Sequence, residues 1–198
     1  MKSYPLPLLC LLLLASCNRA TQDVTPASPK VIPNPLTAIS IPHATVVYYD
    51  ISGGTEIELR DQLDLLGPIG YEGYQGDSTT QWFIRWNWDG YGSQECDLKT
   101  AKVSYDIQVI MPRWIPPRHA PPDLISKWGH YIRLLARHET GHVEYVVSHY
   151  PSVIEAIQKA TCETAEEAAQ AMLAQIRQHD IDYDAATNHG TIQGARFP

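Results

Sequence analysis

Between Leu124 and His142 the inward-type positions recur at helical spacing. Leu124, Trp128, Tyr131 and Leu135 are apolar or aromatic, and the same three-or-four step continues through His138 and His142. That period predicts an amphipathic helix whose buried stripe ends in two histidines. Pro121 and Pro122 precede it, Asp123 is an acceptable N-cap, and Pro151 stops or bends it just after Tyr150. A second helix is expected from about Ser152 to Lys159. A third opens at Thr164, with Glu167 at capping-box spacing and Ala165, Ala168, Met172, Ile176 and His179 as its stripe. The polar run Asp182 to Gly190 is expected to leave regular structure.

The earlier half of the chain has a period of two instead. Ala44 to Tyr49 is apolar and β-branched, and Gly53-Gly54 breaks it. Thr55, with Glu58 three residues on, caps a short helix through about Leu66, which Gly67-Pro68 ends. Trp82, Ile84, Trp86 and Trp88 share one face of a strand from Thr79 to Trp88, and read as core or cross-strand packing. Val103, Tyr105, Ile107, Val109 and Met111 mark a second strand, ended by Pro112, Pro116 and Pro117. Two long strands and a loop make an antiparallel hairpin. The fold class expected is therefore α+β, with N-terminal antiparallel strands followed by a helical half.

The two histidines belong to Arg137-His138-Glu139-Thr140-Gly141-His142, which reads H-E-x-x-H. On a helix, residues four apart lie on one face, so His138 and His142 can turn ring nitrogens toward one Zn²⁺. Glu139, beside the first ligand, is the expected general base. The alternative is a solvated helix face. The buried stripe argues against it, because a buried imidazole needs polar partners. An open catalytic site needs a third protein donor. His149 is two helical turns beyond His142, about 10 Å along the axis, and cannot share the ion. Tyr145 and Ser148 stand where a longer metzincin pattern would have Gly and His. His189, beside Gly190, is the candidate preferred here. Glu163, Glu166, Glu167 and Asp184 remain alternatives, and Tyr183 and Asp184 are also candidates for orienting a ligand or donating to an oxyanion.

The start of the chain changes the picture of location. Lys2, the apolar run Leu6 to Leu14 and Leu14-Ala15-Ser16-Cys17 resemble a bacterial lipoprotein signal, with cleavage before Cys17 and a lipid on it. An ordinary secretory signal is the alternative. The expected divisions are a signal over 1–17, a Pro/Thr/Ser-rich tether over 18–40 and one folded domain over 41–198. Asn18 after the Cys points to the periplasmic face of an outer membrane. The net charge of -7, with no basic cluster, argues against a nucleic-acid partner. Cys10 leaves with the signal, so Cys96 and Cys162 remain as an even pair in an oxidising compartment. A disulfide is the expected reading, and two buried thiols the other.

Together these features carry a resemblance. Tyr49-Asp50-Ile51-Ser52-Gly53, Gly67-Pro68, Trp86, Cys96, Trp128, the His138–His142 motif, Cys162 and Tyr183-Asp184-x-x-Thr187-x-His189-Gly190-x-x-Gln193-Gly194 resemble the bacterial family DUF922. The resemblance implies a zincin-like, zinc-dependent peptidase acting on a peptide or protein in the cell envelope. The family's activity is itself inferred from H-E-x-x-H. A non-catalytic zinc-binding lipoprotein is the other class of function left open.

Overall fold

A computed structural model describes residues 38–71 and 73–198. The signal with Cys17, and the tether up to residue 37, lie outside the described residues. Strand β1 (Thr45–Ser52) leads into helix α1 (Glu56–Leu66), then the hairpin strands β2 (Thr79–Asp89) and β3 (Asp97–Ile115). Helices α2 (Pro122–His149), α3 (Pro151–Lys159) and α4 (Ala165–Thr187) follow, and a short 3-10 turn, Thr191–Gln193, comes last. The architecture is α+β, a three-stranded sheet followed by helices.

The hairpin is antiparallel, with Trp82 opposite Ile107 and Trp86 opposite Val103. The sheet as a whole is mixed, which the period-two pattern did not indicate. Its order is β1-β3-β2, and β1 runs parallel to β3, Thr45 beside Gln108 through Ser52 beside Ile115. Residue alternation fixes which face a side chain takes but carries no information on strand neighbours. β3 stops at Ile115, before Pro116 and Pro117 as expected, but Pro112 does not end it. Pro112 lies beyond the last β2 pair, Thr79 with Ile110, where β3 has no neighbour on that side and a missing N–H is tolerated. With β3 in the centre, β2 is an edge strand.

Helix α1 begins as its sequence predicts. Thr55 Oγ1 accepts from the Glu58 N–H at 3.2 Å, and the Glu58 carboxylate accepts from the Gly54 N–H at 2.6 Å. The next two helix starts differ in detail. α2 takes Pro122 as its first residue, where a missing N–H costs nothing, and leaves Asp123 inside the first turn. At α4 the Thr164 hydroxyl accepts from the Thr161 N–H at 3.1 Å and makes no capping bond. Glu166, in that first turn, accepts from the Trp86 indole at 2.8 Å and the Tyr91 hydroxyl at 2.7 Å, fastening α4 to β2.

The core lies between the sheet and the helices. Ile107, Val109, Met111 and Trp114 of β3 are buried with Leu124, Trp128, Tyr131, Ile132 and Leu135 of α2. Phe197 closes this core edge-on against Trp128 and Tyr131. Each fully buried large apolar side chain contributes roughly 1.5–3 kcal/mol. Pro151 breaks the helical ladder after Tyr150 as expected, and α3 packs back through Val153 and Ile157. Cys96 and Cys162 are disulfide-bonded, their Cα atoms 5.8 Å apart. The bridge ties the approach to β3 to the α3–α4 connection. Among the described residues, no helix is long and apolar enough to cross a membrane.

Helix α4 runs on to Thr187, so the segment from Asp182 is helical rather than loop. Its residues are polar because of what they face: Asp180, Tyr183, Asp184 and Thr187 fall on one side of α4, the side turned to the His138–His142 stretch of α2.

Candidate metal centre

The stripe read from the sequence of α2 is buried: His138 and His142 are 4% and 6% exposed, and Glu139 between them is 3%. Their rings cross edge to face with centroids 5.1 Å apart. Both Nε2 atoms point at one oxygen of Asp184. The distance is 3.1 Å from His138 and 3.2 Å from His142. Donors about 2.0–2.1 Å from a tetrahedral Zn²⁺ stand roughly 3.3 Å from one another. Among the described residues, His138, His142 and Asp184 are the group whose donor atoms lie mutually within metal-ligating range.

The other nitrogen of each ring is also held. His138 Nδ1 meets Gln193 Oε1 at 3.0 Å, and His142 Nδ1 meets Asp180 Oδ1 at 3.0 Å. Asp180 uses its second oxygen to accept from the Trp82 indole at 2.7 Å. An acceptor behind each Nδ1 fixes the tautomer that leaves Nε2 free to ligate. His142 therefore has acceptors at both nitrogens. Burial disfavours its charge, but hydrogen bonds to Asp180 and Asp184 outweigh that and raise its pKa to about 10. Burial likewise pushes the Asp184 carboxyl up, while hydrogen bonds from His138 and His142 hold it well below the usual carboxylate range. Two imidazole nitrogens aimed at one carboxylate oxygen need either protons or a cation between them. The donor set thus fits Zn²⁺, whose borderline character suits two imidazoles and a carboxylate.

His189 is not in the converging group. Its ring stacks on Tyr74 with centroids 4.1 Å apart, and Nδ1 stands 3.8 Å from Asp184 Oδ2. The residue that meets both histidines is Asp184, because α4 continues nearly two turns further than the sequence suggested, through Thr187, and delivers its carboxylate from a helix. Glu166 is occupied by Trp86 and Tyr91. Tyr183 lies behind the histidines. It stacks on His138 at 5.1 Å, accepts from the Gln193 amide at 3.1 Å, and extends its hydroxyl toward the His138 carbonyl at 3.5 Å. These contacts place Tyr183 against the His138 ring, the side from which it can orient that histidine.

Two glycines make the close approaches possible. A Cβ on Gly141 would lie 2.5 Å from the Tyr183 hydroxyl. One on Gly190 would lie 2.9 Å from the His138 ring, and Gly190 has φ +75°. The turn after α4 can therefore press against His138 and place Gln193 behind it.

Glu139 faces the sheet. Its carboxylate accepts from the Ser78 hydroxyl and, at 2.6 Å, from the Thr80 hydroxyl. Ser78 is held in turn by its neighbour Asp77, whose carboxylate accepts from Arg60 and, at 2.8 Å, from Tyr131. Glu139, His138, His142 and Asp184 line one cleft of about 550 Å³, walled by β2, the segment before it and α4. Ser78, Thr80, Asp180 and Gln193 were not singled out individually as site residues from the sequence. Asp180 had a signal, since it stands one turn before Asp184 on the same helix face. Ser78 and Thr80 reach Glu139 only through tertiary placement.

The fold and this cleft define an α+β chain in which two buried histidines and the half-buried Asp184 carboxylate converge beside a second acidic residue, Glu139. A family model described as "Bacterial protein of unknown function (DUF922)" matches residues 46–190, and the chain belongs to that family. No curated protein and no solved structure matches the chain.

Proposed function

We propose that the protein is a zinc-dependent peptidase of the bacterial cell envelope, zincin-like in its use of the motif helix, and anchored by a lipid on Cys17. The observation that carries this reading is the convergence of His138 Nε2, His142 Nε2 and Asp184 Oδ1, with Gln193 and Asp180 behind the rings. His138, His142 and Asp184 would hold the ion, with Asp184 in the place first expected for His189. A zinc ion bound there supplies Lewis acidity, polarising a carbonyl and lowering the pKa of water. The chain's own residues do the rest. Glu139 takes a proton at its carboxylate and later delivers one to the leaving amine. The hydroxyls of Ser78 and Thr80 fix where that carboxylate sits, and each of its oxygens keeps a lone pair for the proton.

One observation favours a second reading, a non-catalytic zinc-binding envelope lipoprotein. His189 stands beside Asp184 within reach of becoming a fourth protein donor, and a site closed by four protein ligands is structural. Zinc analysis of the purified chain combined with cleavage of a peptide library separates the two. The peptidase reading expects wild type to hold one zinc and cleave. Glu139→Gln, which keeps the shape but cannot take the proton, should hold one zinc, stay folded and cleave nothing. Tight zinc binding with no cleavage, weakened by His189→Ala, would establish the second reading instead.

A further inference from the structure

The cleft carries a guanidinium that the reaction outlined above does not use. Arg177 lies on α4, on the face that turns Asp180 and Asp184 toward the histidines, and it lines the same cleft. Its guanidinium carbon sits 4.2 Å from the centre of the Tyr71 ring and 5.4 Å from that of Trp82. One of its nitrogens donates to the Tyr71 hydroxyl at 3.1 Å. Stacking on aromatic faces fixes the plane of the fork and leaves its edge donors available.

Those donors lack an acidic partner among the described residues. The arginines that form ion pairs there are Arg60, with Asp64 and Asp77, and Arg113, with Asp50. Asp180, one turn along α4 from Arg177, is turned away to His142 and Trp82. In a protein of net charge -7, an oriented cation lining the cleft offers a place for an anionic group.

We propose that Arg177 is a specificity residue that binds a carboxylate of the peptide substrate. The proposal rests on the peptidase reading of the cleft. A planar fork with fixed orientation matches a carboxylate through paired N–H donors, which an amide cannot satisfy in the same way. Arg177 stands two helical turns from Asp184, about 10 Å along α4. An extended peptide covers that distance in about three residues. The carboxylate is then either the free carboxyl terminus of a short peptide or an acidic side chain, about three residues from the bond cut. Arg196 also lines the cleft, but it is exposed and has no aromatic plane to hold it among the described residues.

The test uses the full zinc-loaded chain and one random hexapeptide library in three forms: free carboxyl terminus, carboxamide terminus, and carboxamide terminus with one glutamate at a scanned position. Retention on immobilised Glu139→Gln protein reads binding without turnover, and cleavage by wild type is read in parallel. The expected result is retention of one carboxylate form at least about 10-fold above the plain carboxamide form, the advantage of a hydrogen bond to a charged partner. Preference for the free terminus marks terminal recognition, and preference for the scanned glutamate marks side-chain recognition. Adding Arg177→Gln should erase the preference while plain carboxamide peptides are held as before, Arg177→Lys should restore part of it, and Arg196→Gln should leave it intact. Equal retention of all three forms with cleavage intact overturns the role of Arg177 alone, as does a preference that survives Arg177→Gln or vanishes with Arg196→Gln. Retention of no form together with absence of cleavage overturns the peptidase reading and this inference with it.

Discussion

Asp180 offers the sharpest test of the proposed metal centre. It touches no proposed open position, yet it accepts from two donors at once, the Trp82 indole at 2.7 Å and the His142 ring at 3.0 Å. Asp180→Asn preserves size and shape but has a single acceptor oxygen and an NH₂ group. If the amide oxygen serves Trp82, its NH₂ faces the His142 Nδ1–H, and if it serves His142, the NH₂ faces the Trp82 N–H. One buried donor is left opposed by another, at a cost of roughly 1–3 kcal/mol. Removing a group that orients a histidine ligand lowers metal affinity about 10- to 100-fold, which is roughly 1.4–2.7 kcal/mol. The two figures agree, so Asp180→Asn should weaken zinc binding by that factor in a chelator competition titration. Trp82→Phe removes one of the competing donors, so the double variant Asp180→Asn/Trp82→Phe should recover part of the loss as the amide oxygen turns to His142. Zinc affinity unchanged in Asp180→Asn, or no recovery in the double variant, would refute the carboxylate–histidine arrangement.

Other consequences are open to direct measurement. Replacing Cys96 and Cys162 by Ser opens a loop spanning 66 residues and should cost about 2–4 kcal/mol in urea denaturation; a change under about 1 kcal/mol would contradict a stabilising bridge. Gly141→Ala gains at most about 1 kcal/mol of helix propensity but forces a methyl into the Tyr183 hydroxyl, so it should lower stability by roughly 1–3 kcal/mol. The same substitution in a Tyr183→Leu background should cost little, and an equal cost in both backgrounds would rule out the clash. Cys17→Ala should move the protein from the membrane fraction to the soluble fraction, and unchanged detergent-dependent fractionation would remove the lipid anchor from the account.

Much of the fold was legible because its signals are periodic. The inner stripe of α2, the Thr55 start of α1, the stop at Pro151 and the β2–β3 hairpin all follow from spacing, caps and proline. The parallel docking of β1 was not, since strand order is decided between segments far apart in the chain. The site divided along the same line. His138, Glu139 and His142 lie within one helical turn and announce themselves. Asp184, the third member of the cluster, was obscured by a rule that usually holds, that polar runs leave regular structure. Asp180, Tyr183, Asp184 and Thr187 are polar at helical spacing because the surface they meet is a cluster of imidazoles. Their spacing continues the stripe that the structure buries, Ala165, Ala169 and Ile176, where the sequence reading had Ala168 in place of Ala169, and apolar periodicity alone does not score that continuation. Ser78, Thr80 and Gln193 had no local signal of their role, since each meets its partner more than fifty residues away.

The cluster draws on three separate stretches, with Asp184 reaching His142 across 42 residues, Gln193 reaching His138 across 55 and Ser78 reaching Glu139 across 61. No fragment holding α2 alone retains this constellation, so whatever occupies it binds the native chain and almost none of the unfolded one. Occupancy then becomes a thermodynamic load on folding: each tenfold rise of free ligand above its dissociation constant adds about 1.4 kcal/mol to the stability of the entire domain. Under the proposed metal reading, the melting temperature of the protein would gauge the free metal around it. If the proposed site holds an ion, depleting that ion would remove this chain through unfolding and proteolysis, beyond any loss of the proposed activity.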